Sequence, residues 1–130
     1  MINSNIYNYI NILDKAADAA NMRNELISNN IANVNTPNYK RKDINFEAVL
    51  QAELAGGGSL TDRVNSTNKD LTVLDPQVYT DNASLSYRLD GNNVDINTEE
   101  AYLAENQIKY QALVDLMNQE FSRYKSVLTS

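Results

Sequence analysis

The chain contains no cysteine and no histidine. Without cysteine there is no disulfide, no thiolate metal ligand and no Cys nucleophile. Without histidine the commonest general base is gone, with the usual zinc ligand and every Ser-His-Asp arrangement. Basic charge is scarce. Eleven Lys and Arg against 17 Asp and Glu give a net charge of −6 and a pI near 4.5. Nucleic acid is therefore not the expected partner, because phosphate binding needs a basic face. No window of 18 or more apolar residues occurs, so no membrane-spanning segment is expected. The first residues, MINSNIYNYINILDK, lack the basic start and continuous apolar core of a cleaved signal peptide. The expectation is a protein that stays in the cytoplasm or leaves by a route without signal cleavage. Nothing points to an enzyme, a cofactor, a metal or a small-molecule substrate.

What is present is helical at both ends. Positions 6, 10, 13, 17, 20, 24, 27, 31 and 34 read Ile, Ile, Leu, Ala, Ala, Asn, Ile, Ile, Val. Alternating steps of four and three make a seam of period 3.5, the spacing of a coiled coil. Alanines at 16, 17, 19 and 20 narrow its middle, so a partner helix can approach closely. Asn24 in the seam either fixes register or is a satisfied core amide. A helix of roughly 28 residues would run about 42 Å, too long to bury its face on one small globule. Thr36-Pro37 ends it, since proline lacks the N–H and pushes its predecessor toward extended backbone. Asn29, Asn30, Asn33, Asn35 and Asn38 surround the stop, and Asn tolerates the left-handed conformation of a helix exit. Tyr39 follows as an aromatic anchor. Lys40-Arg41-Lys42 reads as a solvated face or a contact with an acidic neighbour.

The middle of the chain carries weaker signals. Residues 46–54 predict a short amphipathic helix with Asn45 as N-cap. Gly56-Gly57-Gly58 marks a flexible linker or hinge. Residues 60–82 read as a loop with one short strand near 77–80. Residues 84–89 alternate in strand fashion, Asp90-Gly91 is a hairpin turn signal, and 92–96 reads as the returning strand. A calcium loop at Asp90, Asn92 and Asp95 fails, because Val94 and Asp95 fall where a ligand and a glycine are needed. The last helix starts at an Asn97 cap, with Glu99 and Glu100 at its positive end. Positions 103, 107, 110, 114, 117, 121, 124 and 128 form a second seam: Leu, Gln, Tyr, Val, Met, Phe, Tyr, Leu.

The predicted fold is mainly α. Two long terminal helices pair as a coiled coil, with a short helix and a small β-hairpin or irregular insert between them. The chain is one domain, 1–130, divided into an N-terminal helix within 1–35, a turn, helix, loop and hairpin segment over 36–97, and a C-terminal helix over 98–130. Both seams exceed what one chain can cover, which implies further copies or other subunits, with much of the fold forming on assembly.

The stretch NIANVNTPNYK, residues 30–40, resembles the N-terminal signature of the bacterial flagellar axial proteins. That family usually has Gly where this chain has Asn38, and Asn is the next residue tolerated at positive φ. TPNYKRKDINFE (36–47) and DGNNVDINTEEAYLAENQIKYQALVDL (90–116) are similar to the signatures of a basal-body rod type from the proximal rod. The neighbouring proximal rod type carries a PNV-type motif and an R-x-YEAN stretch, and neither is present. No motif covers 55–87.

The resemblance implies a non-enzymatic subunit, exported uncleaved through the flagellar type III apparatus and polymerising into the rod within the cell envelope. Implied partners are other copies, other rod proteins, and membrane-ring, rod-junction and export-gate proteins at the base. Ile27, Ile31, Val34, Tyr110, Val114, Met117, Phe121 and Tyr124 are expected to carry helix packing. Asn30, Asn33, Pro37 and Tyr39 are expected to set the helix exit and form an inter-subunit motif. The competing reading is a cytoplasmic coiled-coil adaptor with no flagellar role.

Overall fold

A computed structural model describes residues 2–82 and 88–129, with side chains from Tyr7 onward. The elements in order are α1 (Ile2–Ala32), β1 (Lys42–Ile44), α2 (Phe46–Leu54), α3 (Leu60–Thr67), a 3-10 turn (Leu71–Leu74), β2 (Val78–Thr80) and α4 (Ile96–Thr129). The two terminal helices pack antiparallel along their length. Asn30 meets Glu99, Asn24 meets Asn106, and Tyr7 meets Tyr124. That is the expected mainly helical fold with paired termini and a small two-stranded sheet between them. Among the described residues, no helix is long and apolar enough to cross a membrane.

Helix α1 uses two faces. Ile10, Ala17, Ala20 and Ile27 lie on its predicted seam and are buried. Ile12 and Ala19 lie on a second face and join Phe46, Val64 and Leu74 in the core. The middle third is therefore not a bare insert: α2, α3 and the 3-10 turn lean on α1. Polar clips hold α3 there, with the Asn11 amide donating to Asn68 Oδ1 at 3.0 Å and the Asn68 amide to Asn8 O at 3.0 Å.

Several sequence expectations are corrected. Residues 60–82 are not a loop. Ser59 Oγ accepts from Asp62 N at 3.1 Å and starts α3, and the Asp70 carboxylate caps the 3-10 turn. Within the glycine run, a Cβ on Gly56 would come within 2.5 Å of the Arg63 guanidinium, whose nitrogens donate to Glu53 O, whereas Gly57 faces open space. The strand near 77–80 is present, but it pairs with β1, in the register Lys42↔Thr80, Asp43↔Tyr79 and Ile44↔Val78. Residues 92–95 form no strand, and the expected first hairpin strand falls mostly outside the described residues. Helix α4 begins at Ile96, and its cap is Asp95, whose Oδ1 accepts from the Asn97 and Thr98 amides.

Candidate functional site at the helix exit

The chain leaves α1 through consecutive tight turns. Asn33 N donates to Asn29 O and Asn30 O, Val34 N to Ile31 O, and Thr36 N to Asn33 O. Asn38 then takes φ +62°, the left-handed conformation expected where the resemblance places Gly. Carbonyls left unpaired at a helix end need donors. Here one side chain supplies them: the Asn92 amide donates to Asn33 O, Val34 O and Thr36 O at 2.8–3.1 Å. Asn38 N donates to Asp90 O at 2.7 Å, and Lys40 Nζ donates to Gly91 O. The segment 90–93, entered through a turn in which Gly91 N donates to Arg88 O at 3.1 Å, thus caps α1.

Asn30 is the hinge of the arrangement, fully buried. Its Oδ1 accepts from the Tyr39 hydroxyl at 3.1 Å and from Lys42 N at 3.0 Å. Its Nδ2 donates to Lys42 O at 2.9 Å and to Glu99 Oε2 at 3.2 Å. The carboxamide satisfies the outer edge of β1 as a third strand would. Asn93 does the same where the ladder ends: its Oδ1 accepts from Arg41 N and its Nδ2 donates to Asp81 O.

Beneath these amides lies a buried ionic cluster. Arg41 donates from Nε to Glu99 Oε1 at 2.5 Å, from one terminal nitrogen to Asp81 Oδ2 at 2.7 Å, and from the other to Asp43 Oδ2 at 3.0 Å. Arg23 binds Asp43 Oδ1 at 2.9 Å. The Tyr102 ring lies 5.1 Å from the Arg23 guanidinium carbon and 5.3 Å from that of Arg41, within cation–π range. Burial works against the Arg41 charge, but its bonds to Glu99, Asp43 and Asp81 outweigh burial and raise its pKa. Burial would likewise raise the Asp43 carboxyl, and Arg23, the Ile44 amide and Arg41 hold it below the usual carboxylate range. Burial and the nearby Glu99 raise the Tyr39 hydroxyl, which stays protonated as a donor. Asp43, Asp81 and Glu99 each face a guanidinium. Such an arrangement fixes charge in place rather than moving protons.

The basic triplet is divided: Lys42 is exposed, whereas Arg41 is buried in contact with acidic partners, the second of the two readings. Glu99 is not merely a dipole partner, since it is 1% exposed and ion-paired. Of the expected residues, Asn30 and Tyr39 meet at this junction, above the fully buried Ile27. Ile31 and Val34 are half-buried beside it. Asn33 Oδ1 accepts from Thr36 Oγ1, and Pro37 is exposed. Tyr110, Val114 and Met117 are half-buried along α4, and Tyr124 meets Tyr7 edge-on at 4.9 Å. Phe121 is 50% exposed and stands outside the helix pair. The sequence assigns no role to Arg23, Asp43, Asp81, Asn93 or Asn106, and it places Arg41, Asn92 and Glu99 in other roles. The one available signal was the DGNN run, read as a local turn.

A family model described as flagella basal body rod protein matches residues 10–40, which run from α1 to the helix exit. Flagellar basal body rod protein FlgB of Bacillus subtilis (strain 168) is 39% identical, with 90% of each chain covered. The chain belongs to the FlgB family of flagellar basal-body rod proteins. FlgB of Proteus mirabilis is 33% identical over 93% of both chains, and that of Escherichia coli K12 is 32% identical over 83%. FlgB-family membership makes this a structural subunit of the proximal rod. It displaces both the cytoplasmic adaptor and the neighbouring rod type.

Proposed function

We propose that the chain is a non-catalytic subunit that polymerises through its terminal helices, with copies of itself and with other rod proteins, into the drive shaft of the flagellum. The observation that carries this is the apolar surface α4 leaves uncovered. Its inward track passes through Glu99, Asn106 and Met117. Phe121 lies beside that track and Leu128 at its far end, Leu116 and Val127 lie to the other side, and all four are exposed. The chain exposes 8082 Å² in all. A compact monomer of 14.6 kDa would expose about 6,900 Å². The difference exceeds the roughly 800 Å² that one partner gives to a standard interface.

The helix-exit junction has a supporting role in this reading. A buried ion cluster adds little net stability over apolar packing but can fix register. Here it joins α1, β1, the end of β2 and α4, so the two helices present their flanks in one relative position. The base partners are membrane-ring, rod-junction and export-gate proteins, and the chain reaches them through flagellar export without signal cleavage. The test is a strain lacking its own copy. Phe121→Asp combined with Leu128→Asp is expected to keep wild-type circular dichroism yet fail to enter basal bodies or restore motility. Full motility with both charges in place would overturn the reading.

A further inference from the structure

A groove of about 390 Å³ lies beside the α1–α4 seam. Its floor is the small-residue face of α1, Ala16 and Ala19, and its walls include Phe46, Leu50 and Leu113. We infer that this groove receives the C-terminal end of α4 from a second copy of the chain, with Phe121 and Leu128 as the inserted side chains. The inference rests on the polymerisation reading above and names its contact.

Three observations support that occupant. The first is chemical match, since Phe46, Leu50 and Leu113 give the groove apolar walls inside a charged rim and the end of α4 carries an exposed phenylalanine and leucine. The second is charge. A chain of net charge −6 repels its own copies over most of its surface. The last turns of α4 are an exception, with Arg123 and Lys125 against Glu120. In the groove Arg23 pairs with Asp43 and Lys109 with Glu47, which leaves Glu105, while Arg123 pairs with Glu120 at the helix end, which leaves Lys125. The third is available area, because the excess surface noted above suffices for one such contact.

The geometry has a consequence for assembly. The groove lies beside residues 105–113 of α4, while the inserting residues are 121–128. Their centres are about 15 residues apart, or about 22 Å along the helix at 1.5 Å per residue. Groove and helix end are different patches, so a copy that inserts its helix end still presents its own groove, and the contact can be repeated from copy to copy.

The absence of native cysteine makes a direct test clean. Ala48 lines the groove and is exposed. Ala48→Cys and Leu128→Cys chains are mixed at concentrations where light scattering reports association, then oxidised. The mixed 48–128 disulfide is expected to exceed the 128–128 product about tenfold, given the short Cβ separation a disulfide demands. Independently, Ala48→Arg is expected to weaken self-association about tenfold with an unchanged melting curve. A predominance of 128–128 product, or association unaffected by Ala48→Arg, would overturn the groove contact. If the Ala48→Arg chain also restores motility, polymerisation stands without this contact. If neither wild type nor variant associates or enters basal bodies, the polymerisation reading falls with it.

Discussion

Replacing Asn30 with alanine removes one side chain and four hydrogen bonds. The cost can be worked from what each partner loses. The Tyr39 hydroxyl is half-buried and can turn to water, so its loss is small. The N–H and C=O of Lys42 lose the side chain that bonds both of them at this edge of β1. Glu99 keeps Arg41 on Oε1 but loses its donor on Oε2, at a site 1% exposed. A buried polar group left unsatisfied costs about 1–3 kcal/mol. Partial hydration of Lys42, which sits at an exposed position, brings the total to about 3 kcal/mol. That is a large part of the roughly 5–15 kcal/mol of an ordinary domain. With a urea slope near 1.5 kcal/mol per molar, the midpoint should fall by about 2 M. The assay is urea unfolding followed by circular dichroism. Asn29→Ala, one residue away but exposed, serves as control and should change stability by under about 0.5 kcal/mol. An Asn30→Ala loss no larger than the control would show that the buried amide does not hold the junction.

Further outcomes follow from the same contacts. Asp43 is held below its unfolded value of 3.8 by its partners. A carboxylate depressed on folding stabilises above its unfolded value and loses that contribution as pH falls through the folded one. Melting temperature should therefore drop below about pH 4, and Asp43→Asn should flatten that drop while lowering stability at neutral pH; parallel profiles would contradict this. Gly91 has φ +76°, and a Cβ there would come within 2.5 Å of Asn38 Oδ1. Gly91→Ala should cost about 1–2 kcal/mol by urea titration, whereas Asn38→Gly should be close to neutral because both residues accept positive φ. The Asn106 amide donates to Ala20 O at 2.7 Å and to Asn24 Oδ1 at 2.9 Å. Asn106→Leu should overfill the space beside Ala20 and strand the Asn24 amide, costing about 1–3 kcal/mol by thermal melt.

The parts legible in the sequence are those that depend on local chemistry or a long period. The end of α1 ahead of Pro37, the positive φ at Asn38 and the two terminal helices are of this kind. Local rules misled where a distant partner decides. Arg41 reads as solvated or as an acidic contact because its acidic partners, Asp81 and Glu99, lie far along the chain. Asp90-Gly91 does mark a turn, but residues 92–95 read as a strand because nothing local shows that Asn92 reaches the carbonyls of α1. The inward track of α4 differs by one position, in part, from the seam its sequence suggests. Gln107 is exposed and Asn106 buried, since Ala20 and Asn24 opposite offer Asn106 two acceptors. Helix α3 escaped because only Leu60 and Val64 mark its apolar side in a Thr- and Asn-rich run. Its Ser59 cap with Asp62 three residues on was the signal to use.

The central claim is that this chain is built into the rod, and mass spectrometry of purified hook–basal bodies tests it most directly, with whole cytoplasm as the control. The account predicts strong enrichment in the basal bodies, at a few copies per particle. Retention in the cytoplasm, with basal bodies assembling normally in its absence, would contradict it.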